Sequence, residues 1–156
     1  MKWIVGLSAC VVAALGVVSS SHVFAQEAAP AAPAGGTAPV MDTHRLMSVF
    51  ADPVMDEIKE ASKEAPATPK GWRVLQDKGM AVAEIAVLTM MREGEHEATP
   101  EWDQLSEVMK KAGIALSDAA AKKDFPGVQA QVTAIIASCN TCHKKYEPET
   151  APEILP

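Results

Sequence analysis

From Met41 to Tyr146 the apolar residues of this chain recur at steps of three and four, and no stretch alternates apolar with polar residues. That period is the α-helix's, and it leaves no strand from which a sheet could be built. The first of four segments, about 41 to 63, sets Met47, Ala51, Val54, Ile58 and Ala61 in one stripe, widened by Leu46 and Phe50. Pro53 lies inside it and is expected to kink or split the helix, with Asp52 capping the second piece. Pro66 and Pro69 mark a linker over 64 to 70. The second segment, about 71 to 93, carries Leu75, Gly79, Val82, Ala86, Thr89 and Met90 on one side, broadened by Val74, Ile85, Val87 and Leu88, and Gly94 ends it. Thr99-Pro100-Glu101 opens the third with an N-cap, a proline and an acid in the first turn. Its stripe is Trp102, Leu105, Met109, Ala112, Leu116 and Ala119, closed by Lys122 and Lys123. The fourth follows Asp124, a second cap, with Pro126 in its first turn and Val128, Val132, Ile135, Cys139, Cys142 and Tyr146 on one face. Four helices with short connections predict an all-α, up-and-down antiparallel four-helix bundle.

Such a bundle is short of large rings. Aromatic residues make up 4% of the chain against 48% apolar, so Ala, Val, Leu, Ile and Met must build the core, and something else is expected to help fill it. The apolar share is too high for a disordered chain, and a net charge of −6 argues against nucleic acid, whose phosphates demand a basic face. Residues 1–25 read as an export signal: Lys2, an apolar run from Trp3 to Val18, then Val23-Phe24-Ala25 with cleavage after Ala25. The run is broken by Ser8 and stops before Ser19, short of the roughly 20 residues that cross a bilayer, so no stable membrane span is expected. Cys10, in Leu7-Ser8-Ala9-Cys10, has a lipoprotein spelling but too few apolar residues before it, and it leaves with the signal. Residues 26–40 are an Ala/Pro/Gly-rich tether, 41–147 the folded unit and 148–156 a tail.

Cysteines 139 and 142 remain, in Cys139-Asn140-Thr141-Cys142-His143. This is the C-x-x-C-H spelling of c-type haem attachment. On a helix the two thiols lie one turn apart on one side, where each can add to a haem vinyl group, and His143 stays on that side to reach the iron. A thioredoxin-like pair would follow a strand and open a helix; this one stands late in a helical chain. A zinc site would need a second pair of ligands, and only the scattered His44 and His96 are on offer. A disulfide would close a very small ring and leave His143 unexplained.

Over about residues 41 to 147 the chain resembles the cytochrome c′ family, including its low-spin relatives of the cytochrome c-556 type. Cys139, Cys142 and His143 match the family's motif, and Tyr146 fits its aromatic three residues after the histidine; Glu147 stands where a basic residue is usual. The resemblance implies one covalent haem c with His143 as proximal ligand. It also implies a distal position early in the first helix, which falls on Met47. A methionine ligand there makes a six-coordinate electron carrier, and a non-ligand leaves the iron open to small gases such as NO and CO. His44, one turn earlier, is the alternative ligand and Met41 a more remote third. Thr43 stands where relatives often place a base for a haem propionate. His96, between Glu95 and Glu97, reads as exposed, and Trp72 and Trp102 as end packing or partners of the haem edge. The expectation is an exported, periplasmic monohaem cytochrome in single-electron transfer, the alternative a five-coordinate protein that binds or sequesters gas. No acid–base pair, activated nucleophile or Gly-rich phosphate loop points to an enzyme. Redox proteins met by an acidic surface are the expected partners, and the resemblance implies homodimerisation through the first helices.

Overall fold

The computed structural model describes residues 39–92, 99–151, 153 and 154, so the stretch read as an export signal, most of that read as a tether, Gly94 and His96 lie outside the described residues. Every regular element among the described residues is helical. Helix α1 joins Thr43–Leu46, a π turn at Met47–Ala51, and Asp52–Ala61; α2 is Pro69–Met90, α3 Pro100–Ala121 and α4 Phe125–Tyr146. This is the expected bundle of four.

The helix starts share one chemistry. Asp42, Thr68, Thr99 and Asp124 each accept a hydrogen bond from the backbone N–H three residues on, and a proline occupies the first position of α2 and α3 and the second of α4. The side chain satisfies an amide that helix geometry leaves unpaired, and proline gives up no bond there. Thr68-Pro69 repeats the spelling of Thr99-Pro100, and α2 therefore starts inside the stretch read as linker. At the end of α3, Lys123 adopts φ 56°. Its amide donates to Ala120 O at 3.0 Å and that of Asp124 to Ala119 O at 2.9 Å, the two bonds of a Schellman ending with lysine where glycine is usual.

One expectation for α1 needs correction. The helix runs on past Pro53 through the π turn, and Asp52 does not cap a second piece: its amide donates instead to Met47 O, five residues back. A proline ring clashes with the carbonyl four residues before it, here that of Val49, and a wide turn relieves the clash without breaking the helix. The turn adds a residue to the inward register. The buried stripe is thus Leu46, Ala51, Met55 and Ile58, at steps of five, four and three. Met47 and Val54 flank it half-buried, and Phe50 is 47% exposed.

The core is built from short side chains, and α2 and α3 are the closest pair. A Cβ on Gly79 would lie 2.6 Å from Ser117 N and 2.7 Å from Gly113 O, and one on Gly113 2.7 Å from Gly79 O. Ser106 and Ser117 are buried along the same side of α3. Close backbone approach runs α1 to α2, α2 to α3 and α3 to α4. Between α1 and α4 the described residues show no comparable approach, so the seam between first and last helix is the open one. No described helix is long and apolar enough to cross a membrane.

Candidate functional site

Antiparallel packing decides which residues share a level. Lys78 pairs with Glu57 at 2.6 Å between α2 and α1, Trp102 Nε1 donates to Thr89 O at 3.0 Å between α3 and α2, and Lys145 pairs with Glu101 between α4 and α3. These contacts put the start of α1, the end of α2, the start of α3 and the end of α4 at one end of the bundle, so His44, Met47 and His143 all belong to that end. Asp52 is close enough there for its charge to act on the Cys139 thiol.

Cys139 and Cys142 are both half-buried and unbridged, one turn apart in α4, with Cys139 packed against the core. Burial pushes the Cys139 thiol up to about 11, and burial with the neighbouring Cys139 does the same to Cys142. A redox-exchange pair needs thiols shifted the other way, which a helix C-terminus cannot supply. Among the described residues, no group of three or more His, Cys, Asp or Glu is placed to hold a metal ion. His143 follows on the next residue, half-buried.

Around this end the structure supplies a tight aromatic and polar frame. Trp102 is buried and meets Tyr146 edge-on at 5.1 Å between centroids, while Lys145 sits over the Tyr146 ring. Trp72 meets Phe125 in the same manner at the opposite end, 6.4 Å apart, so both tryptophans are end packing as expected. Arg92, only 7% exposed, donates from Nη1 to Leu88 O at 2.7 Å, and its Nε is buried without a partner. A haem suits this donor set. It would use two unbridged thiols and an imidazole on one stretch of helix, bring carboxylates to an end that buries an incompletely satisfied cation, and add ring surface to an aromatic-poor core.

The family model described as Cytochrome C′ matches residues 52–147. The chain belongs to the cytochrome c′ family. Comparison with curated proteins and with solved structures gave no match. Membership makes it a c-type haem protein with the family's helical fold, and the match takes in Cys139, Cys142 and His143. It starts beyond His44 and Met47, so the distal side rests on this chain's own geometry. There Met47 is half-buried beside the core, whereas His44 is exposed.

Sequence reading passed over two residues at this end of the cytochrome. Asn140, a mere spacer in the motif, is half-buried and donates from Nδ2 to Ile154 O at 2.9 Å, while its Oδ1 accepts from Ile154 N at 2.8 Å. Nothing in the local sequence marks it. Arg92 sits just past a helix end, where a cation looks like an ordinary dipole partner, and only packing reveals its burial.

Proposed function

We propose that this cytochrome is an exported, periplasmic monohaem electron carrier, with one haem c bonded through Cys139 and Cys142 and ligated by His143 and Met47. Bound haem supplies an iron that changes oxidation state by one electron. The protein's part is to fix both faces. Cys139 and Cys142 would hold the haem from α4, with the His143 imidazole and the Met47 thioether as its iron ligands; a thioether ligand would favour the reduced state and leave no position for substrate. The observation that supports this reading is Met47's place: first residue of the π turn, half-buried beside the core while Leu46 takes the buried stripe, at the bundle end that also carries His143. Wide turns of this kind recur at functional positions because they re-aim a side chain. The excess of 20 acidic over 14 basic residues suits encounter with a basic redox protein.

The test is the absorption spectrum of purified holoprotein beside Met47→Ala and His44→Ala. A low-spin ferric spectrum that Met47→Ala converts to high-spin, with His44→Ala silent, is the expected result. A high-spin wild type unchanged by Met47→Ala would assign the five-coordinate, gas-binding alternative instead. Mass spectrometry of the mature chain should give cleavage after Ala25 and the added mass of one haem; a chain without that mass would overturn both readings.

A further inference from the structure

Beyond α4 the chain turns back. The amides of Thr150 and Ala151 donate to Glu147 O at 3.2 and 3.0 Å, reversing direction. Glu153 then pairs with Lys144 at 3.5 Å, Ile154 packs its side chain on the core, and its backbone makes both bonds to Asn140. A two-bond match between one amide side chain and one residue's N–H and C=O is the strand-like pairing of a backbone, and it fixes position as well as distance. Between this returning segment and the helix lies a cleft of about 310 Å³ lined by Asn140, His143, Lys144, Pro148, Ala151 and Glu153. The segment that Asn140 holds is therefore a wall of the space that His143 faces.

We propose that Asn140 is a positioning residue. It latches the C-terminal segment, Glu147 to Ala151 with Glu153 and Ile154, over the turn that carries His143, and the latched segment limits water's access to the imidazole on the side away from the iron. The inference rests on His143 being the proximal ligand. What the second ring nitrogen of a ligating histidine meets governs how strongly the first one donates, so a latch at this place acts on the haem through His143.

The test uses holoprotein and NMR. Exchange with water is followed at two protons, the Ile154 amide and the His143 ring N–H, in wild type, Asn140→Ala, Asn140→Asp and a chain ending at Glu149. Asn140→Ala and the shortened chain should each speed His143 ring exchange by about tenfold or more, with Ile154 amide exchange rising in parallel in Asn140→Ala. Asn140→Asp keeps the acceptor for the Ile154 amide and should fall between. Release of Ile154 with unchanged His143 exchange would reduce the segment to an inert tail and overturn the proposal. So would an Ile154 amide unaffected by Asn140→Ala. Should Asn140→Ala fail to mature, the shortened chain, whose haem motif is intact, decides alone. A wild type whose ring N–H resonance shows no coupling to haem would instead remove His143 as ligand, a failure of the underlying reading and distinguishable from the others.

Discussion

The two thiols carry the most pointed chemistry of the apo chain. Both are raised by burial from an ordinary 9.0 to about 11, which leaves the folded protein with roughly a hundredth of the thiolate an ordinary cysteine would hold at neutral pH. Alkylation of haem-free protein by iodoacetamide should therefore be about a hundredfold slower at pH 7 than after unfolding in urea, as quantified by mass spectrometry. The same shift has a stability sign. Below pH 9 both states keep the protons; between about 9 and 11 the unfolded chain loses them while the folded one does not, so stability present at neutral pH is lost as pH rises through that window. Urea midpoints of apo protein at pH 8 and 10.5 should differ in that direction, and Cys139→Ser,Cys142→Ser should flatten the difference. Much of this site could be read beforehand. Cys139, Cys142 and His143 announce themselves because covalent attachment fixes residue type and spacing, whereas Asn140 and Arg92 matter only through neighbours that folding brings to them.

Helix starts were legible for the same reason: Thr99-Pro100 and Asp124 act within one turn of chain, and sequence records such local chemistry directly. The π turn in α1 was not, since Pro53 is compatible with a kink, a break or a wide turn, and packing of Leu46 and Met55 into the core selects among them. The small-residue crossing of α2 and α3 also escaped notice, because a glycine on a helical stripe looks like a weak point until its partner is known. Gly79→Ala would press a methyl group against the backbone of Gly113 and Ser117 and should cost about 1–3 kcal/mol, seen as a lower urea midpoint at unchanged haem content. Lys123 offers the reverse. In its left-handed conformation a Cβ is a burden, and Lys123→Gly should stabilise the bundle by about 1 kcal/mol in the same measurement.

For the molecule as a whole, the first and last helices are the neighbours whose backbones keep their distance among the described residues, and they carry Met47 and the two cysteines respectively. A core of Ala, Val, Leu and Met closes such a space poorly by itself. Holoprotein should therefore melt well above apo protein, by about 10 °C or more if the cofactor adds a few kcal/mol to a domain of this size. A calorimetric scan of the two forms checks this, and equal melting points would mean that the bundle is complete without the group. Bundle architecture was readable from periodicity because three- and four-residue steps persist through all four helices; the open seam was not, because no single helix records the distance to a neighbour three helices away in sequence.

That seam also sets a clock. Among the described residues the extensive backbone approaches join helices consecutive along the chain, and chains held by such local contacts fold in microseconds to milliseconds. Cys139 and Cys142 sit half-buried in the finished bundle, so chemistry that needs open, reactive thiols is best served before α4 docks. In this cytochrome the order of assembly is thus a race between collapse and capture.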